Sequence, residues 1–281
     1  MSKTLSTVAR TEFDTQVKLA YQGSGKLRDK VEYRGNVVGD TYKFRTMGKG
    51  QGHERTGSSS LVVPMDISHG FANASLTNHE HPEYTDIFDQ ATVNFDEKMK
   101  LTETIGKAMG RTEDQLIINA LVAGTYNTTA TDGEGFSIAA GGTGFTTAKL
   151  RALKAYYEDL EIDDGICIAV SGTGLDRLLA NTETTSADYN SVKALVAGEM
   201  NTFMGFEFIT VGARRLEGGL GGSGLVGYSW AKNAVGLASA DIEESMSVDW
   251  IPERVSWLCN GILKSGATII DPEGTAKIAF A

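Results

Sequence analysis

The hydrophobic and polar positions change rhythm along the chain, and each rhythm predicts a different element. From 2 to 36 the apolar residues are isolated points, Phe13, Val17, Leu19, Tyr21, Leu27, Val31 and Tyr33, in a polar background. Such a segment lacks the apolar surface to fold alone and reads as an arm that lies on something else. From 37 to 47 the period becomes two, with Tyr42 and Phe44 on one face and Lys43 and Arg45 on the other, as in a strand. A glycine- and serine-rich tip covers 48–60. The stretch 61–71 then returns with Met65, Ile67, His69 and Phe71 alternating against Asp66, Ser68 and Gly70. The pair predicts a long hairpin. Two strands alone are marginal in water, so Tyr42, Phe44, Met65, Ile67 and Phe71 require a surface outside the hairpin, and another copy of the protein is the expected one. Lys43, Arg45, Lys49 and Arg55 are placed to meet acidic groups across that contact.

The longest regular pattern spans 94–124. Phe95, Met99, Leu101, Ile105, Met109, Leu116, Ala120 and Leu121 recur mostly at four-residue steps. Asn94 caps the first turn with Glu97 reaching back, and Gly124 follows as a terminator able to enter the left-handed region. At about 1.5 Å per residue such a helix is roughly 45 Å long, a spine rather than an ordinary core helix. Gly106 and Gly110 share one side and predict a close backbone contact or a bend.

Beyond it, 125–145 reads as a loop or weak hairpin around 136–139. Thr147 caps a helix carrying Leu150, Leu153, Tyr157 and Leu160. Then follow a buried strand at 166–170, helices near 175–181 and 192–200, a strand at 203–211, and an exposed loop at 214–224. Strands alternating with short helices predict a compact α/β region. Further strands are expected from 225, around 242–250 where Ile242, Met246, Val248 and Trp250 alternate with polar residues, and at 255–259, 267–270 and 277–280.

Composition narrows the function. The 281 residues suffice for one large domain or two modest ones, and 41% hydrophobic residues is ordinary for a folded protein. Thirty-six acidic against 26 basic residues give a net charge of −10, which argues against affinity drawn from nucleic-acid phosphates. Cys167 and Cys259 stand far apart in apolar surroundings and read as buried thiols. No stretch has a signal-peptide core or the roughly 18 apolar residues of a membrane span.

No catalytic constellation emerges. The turn from Ser171, SGTGLD, lacks the third glycine of a dinucleotide fingerprint, since Arg177 stands there. Lys49 lies between glycines but without the spacing of a phosphate loop, and Ser223 lacks the last glycine of a nucleophile elbow. His53, His69, His79 and His81 all precede residue 82 and form no closed four-ligand metal pattern. The expectation is a non-enzyme with no catalytic residue, cofactor or metal.

An arm, a hairpin in need of foreign support, a spine helix and an α/β unit together describe an assembly subunit. The segments KLAYQGSGKLRDKV, VVGDTYKFRTMGKG, VVPMDISHGFANASLTNHEHPEYTDIFD and NFDEKMKLTETIGKAMGRTEDQLI resemble the major capsid proteins of tailed bacteriophages, with the Hong Kong 97-type fold. The resemblance extends over nearly the whole chain and is weaker after Thr146. It implies an α+β chain with an N-terminal arm at 1–36 and an extended β-hairpin loop at 37–78. A peripheral domain would take 79–145 and 241–281, including the spine helix, and an axial α/β domain 146–240. The implied function is a major capsid protein that self-assembles as hexamers and pentamers of an icosahedral head around double-stranded DNA. Scaffold, portal and decoration proteins are its implied partners, with assembly in the host cytoplasm, residence in the virion and no membrane. No scaffolding segment precedes the arm, which implies a separate scaffold or one lost before maturation. The residues expected at subunit contacts are Tyr42, Phe44, Arg45, Lys49, Arg55, Met65, Ile67 and Phe71. A tail-tube subunit, an encapsulin-like shell subunit and, more remotely, a metal-dependent enzyme built on the histidines are the competing expectations.

Overall fold

The computed structural model describes residues 25–281 apart from 51, 56, 59–60, 63, 89–96, 130–132, 163–164, 181–201, 217–224 and 243–244. The chain runs β1 (Glu32–Arg34), β2 (Thr41–Met47), β3 (His69–Ser75), β4 (Thr77–Asp86), α1 (Glu97–Ala123), β5 (Tyr126–Asn127), β6 (Gly135–Ile138), α2 (Thr147–Asp159), β7 (Ile166–Val170) and α3 (Gly172–Leu179). It continues through β8 (Thr202–Phe203), β9 (Phe206–Thr210), α4 (Ala213–Leu216), β10 (Val226–Ala231), β11 (Val235–Ser239), β12 (Met246–Ile251), β13 (Ser256–Ile269) and β14 (Thr275–Ala279). Two compact units share these elements, one of residues 1–25, 78–112 and 242–263, the other of 26–77, 113–241 and 264–281.

The larger unit is built on a seven-stranded sheet in the order β5-β6-β14-β10-β7-β9-β8. Its central strand β7, ICIAV, is buried at all five positions because both faces are covered. Ile166, Ile168 and Val170 face Leu150, Leu153, Tyr156 and Tyr157 of α2 together with Phe206, Ile278 and Phe280. Cys167 and Ala169 face the other way, into a cluster with Trp230, Tyr228, Ile117, Ile118, Leu121, Leu27 and Val31. Strand β14, expected with the spine helix from chain order, hydrogen-bonds between β6 and β10. The buried ammonium of Lys149 donates to the carbonyls of Ala140, Thr143 and Ala279 at 2.9–3.1 Å, tying a loop to the end of β14.

The arm ends inside this unit. Leu27 and Val31 are buried, and the indole N–H of Trp230 donates to the Lys30 carbonyl at 2.9 Å. Asp114 on α1 accepts the backbone N–H groups of Lys26 and Leu27 at 2.9–3.0 Å. Its carboxyl is held above the usual range by burial, which outweighs those hydrogen bonds. The last part of the arm therefore lies on its own subunit, while 1–24 fall outside the described residues.

In the smaller unit β12 pairs antiparallel with the first half of β13, from Met246 opposite Gly261 to Ile251 opposite Ser256. A side chain at Gly261 would strike Ile105 and Met109, so the glycine lets α1 lie close on the strand. The Trp250 and Trp257 rings are 5.4 Å apart, and the Lys98 ammonium sits 3.7 Å from the centre of the Trp257 ring. His81 shares a hydrogen bond of 2.9 Å with the Thr112 hydroxyl.

Several expectations need correction. The strand expected at 203–211 is a tight hairpin, β8–β9, because Met204 and Gly205 take φ of 54° and 85° and turn the chain back. The two strands expected at 255–259 and 267–270 are one continuous β13. The weak hairpin at 136–139 is instead β6, parallel to both β5 and β14. The N-cap of α2 is Thr146, one residue early, without a side-chain cap bond. The expected loop at 214–224 begins with helical α4, whose Leu216 is buried. Gly124 is absent from the left-handed region: it is needed because Ile269 and Tyr126 occupy the space a Cβ would take. Gly110 does make a close backbone contact, with Gly25, whereas Gly106 faces open space and Met99 is exposed. The cap at Asn94 and the helix near 192–200 lie outside the described residues.

Candidate subunit-contact surface

The hairpin is real, and its register decides what each face offers. Seven residue pairs run from Thr41 opposite Ser75 to Met47 opposite His69, and the Gly48 N–H adds one more bond to the Ser68 carbonyl at 2.8 Å. The return strand is His69–Ser75, not 61–71, so Met65 and Ile67 precede it. In this register even positions oppose even ones. Tyr42 and Phe44 thus share a face with Ala72 and Ala74, while Lys43, Arg45 and Met47 share the opposite face with Asn73, Phe71 and His69.

The even face is already occupied. Phe44 is 3% exposed and packs in a cluster with Val37, Ala74, Leu76 and Ala238, and the Tyr42 ring meets it edge-on at 4.8 Å. Gly236 on β11 makes the room, since a Cβ there would come within 2.6 Å of the Phe44 ring. The hairpin base is pinned further by Leu76 N–H to the Asp40 carbonyl, by Lys264 to the Asp40 carboxylate at 2.7 Å, and by Gly266 lying flush under Ser75. Phe44 is therefore a residue of its own subunit's core.

The odd face is open. Phe71 is 61% exposed and Met47 70%, and the Lys43 ammonium lies 4.7 Å from the centre of the Phe71 ring. Met65 is half exposed, and Leu61 and Val62 protrude almost completely. Ile67 is half-buried under Gly50 at the tip. Lys49 reaches Glu273 at 2.7 Å, and the Glu273 carboxylate also accepts the Gly133 N–H. The lysine holds that carboxyl below its ordinary range. Arg55 donates to the Ser58 carbonyl within the tip.

Of the expected contact residues, Arg45, Met65 and Phe71 lie exposed, Tyr42 and Phe44 point inward, and Lys49 is engaged by its own chain. Sequence reading missed Met47, Leu61 and Val62, although their exposure follows once the register is known. It also missed Glu273, which lies 224 residues from Lys49 and carries no local signal.

Among the described residues no group of histidines, cysteines and carboxylates is arranged to hold a metal ion. Cys167 and Cys259 are both buried and not joined in a disulfide. No helix among the described residues is long and apolar enough to cross a membrane.

The family model of the phage capsid protein matches residues 5–281. The chain belongs to the phage capsid protein family. No curated protein matches its sequence. Among solved structures, the capsid of the cyanophage P-SCSP1u is similar with a TM-score of 0.75 at 18% identity, covering 98% of this chain and 94% of that one. The capsid of an empty GTA particle gives 0.74 at 13% identity, covering 100% and 98%. The virus-like particle of Pyrococcus furiosus gives 0.58 at 11%, covering 90% and 91%. The capsid protein thus has the α+β Hong Kong 97-type fold. It is the major structural protein of a phage head, associates with itself in the capsid lattice and resides in the virion.

Proposed function

We propose that this capsid protein assembles as hexamers and pentamers of an icosahedral shell enclosing double-stranded DNA, with the hairpin at 37–78 laid over a neighbouring subunit. The observation that supports it is the odd face of the hairpin. Met47 and Phe71 are exposed on that face, and Met65, Leu61 and Val62 are exposed in the segment that precedes the return strand; exposed apolar side chains gathered on one element mark contacts between proteins. In this reading 1–36 is the arm, 79–145 and 241–281 supply the peripheral domain, and 146–240 the axial domain, with β14 joining the axial sheet. Scaffold, portal and decoration proteins are its partners, and assembly takes place in the host cytoplasm. The chain catalyses no reaction. Its net charge of −10 makes its contact with DNA weak and indifferent to sequence.

Electron microscopy of the purified chain tests the shell directly: closed icosahedral particles are expected, and tubes or small oligomers would overturn it. The hairpin's role is tested by Phe71→Ser with Met65→Ser. Both side chains are exposed, so subunit unfolding should shift by no more than about 0.5 kcal/mol, while shells fail to close.

A further inference from the structure

We infer that the hairpin's odd face docks on the acidic end of α2 in a second copy of this chain. The inference rests on the hairpin being an intersubunit element and names the surface it meets.

The first observation is the chemistry of the hairpin face. Lys43 and Arg45 are exposed side by side with Phe71 and Met47, and among the described residues neither cation has an ion-pair partner in its own chain. Lys43 is drawn over the Phe71 ring, which holds its ammonium on the surface of the patch. A partner must supply carboxylates around a modest apolar area.

The second observation is where carboxylates collect. Glu158 and Asp159 close α2, and Glu161 follows with φ of 55°. All three are exposed, while half-buried Leu160 and Ile162 beside them pack against the core of their own subunit. This placement is unfavourable for the isolated subunit. The C-terminus of a helix carries the negative end of its dipole, where cations stabilise and anions do not, and α2 has no basic residue in its last turn. The sole ion pair found for this group among the described residues is Lys154 with Glu158, one helical turn back at 3.2 Å. Three exposed anions at the negative end of a helix, in a chain that also presents Lys43 and Arg45 on an apolar strand face without an ion pair among the described residues, fit a contact between copies. The attraction fixes partner and register, and the exposed Phe71 and Met47 beside the cations provide the burial.

The closing experiment is a charge exchange in the full chain. The first variant carries Lys43→Glu and Arg45→Glu, the second Glu158→Lys and Glu161→Lys, and the third all four. Each single exchange should cut the yield of closed particles by about tenfold or more through like-charge contact, and the fourfold variant should recover most of it. Circular dichroism of each soluble subunit checks that the fold is retained. A disulfide between subunits carrying Arg45→Cys and Glu161→Cys, seen as a ladder on a non-reducing gel, would support the same pairing.

If the hairpin exchange abolishes particles while the α2 exchange does not, or if the combination gives neither recovery nor a ladder, the docking partner lies elsewhere. The inference then falls and the hairpin's bridging role stands. If the hairpin exchange leaves particles unaffected, and the Phe71→Ser, Met65→Ser variant does too, the bridging role itself falls.

Discussion

The Phe44 ring occupies the space that any side chain at Gly236 would need: a Cβ there would lie 2.6 Å from the ring's tip and 2.9 Å from Ile270 Cδ1. An alternating strand pattern thereby becomes a hairpin seated on its own subunit. Gly236→Ala should destabilise the unassembled subunit by about 1–3 kcal/mol, because the ring must leave a close-packed site. In a Phe44→Ala background the same change should cost markedly less. Urea unfolding of the four proteins measures the coupling. Additive costs would show that the two residues do not share this space.

The arm is expected to depend on Asp114. Asp114→Ala removes the acceptor for the Lys26 and Leu27 N–H groups at a buried site, and a loss of about 1–3 kcal/mol should follow, with faster hydrogen exchange at those two amides. Asp114→Asn keeps an oxygen acceptor and should lose less. Burial raises the folded-state pKa of Asp114 above its unfolded value, so this group's contribution favours the folded subunit below the ordinary aspartate range. That contribution is lost as pH rises through the raised folded value. The Asn variant removes this dependence.

Glu273 gives the opposite sign. Its hydrogen bond to Lys49 lowers its folded-state pKa, so its contribution is present above the ordinary glutamate range and is lost as pH falls through the lowered value. Lys49 is largely exposed, which limits the pair to about 1 kcal/mol or less. Melting temperatures of the parent and Glu273→Gln should differ slightly at pH 7 and converge only once the pH has fallen through the lowered folded value. A difference that persists or grows on acidification would show that the pair does not control the tip.

Local patterns made much of this protein legible. The period of two in 37–47 identified a strand, which the structure has at 41–47, the four-residue recurrence in 94–124 a long helix, which it has at 97–123, and the uniformly apolar ICIAV a buried strand. These features depend on which way neighbouring side chains point, which spacing along the chain dictates. Met99 shows the limit, since it fits the helical stripe yet is exposed.

What the sequence determined alone was therefore the kind of elements: a hairpin strand, a spine helix and an α/β unit with a buried strand. The tertiary structure alone decided which hairpin face is free. A shift of one residue in register exchanges the faces, and the register follows from the fit of Phe44 against Gly236, nearly two hundred residues away. It also decided that β14 enters the central sheet and that Glu273 holds Lys49. Such pairings join residues remote in sequence, and their free energy comes from burial and hydrogen bonds that exist only once the chain has closed those long loops.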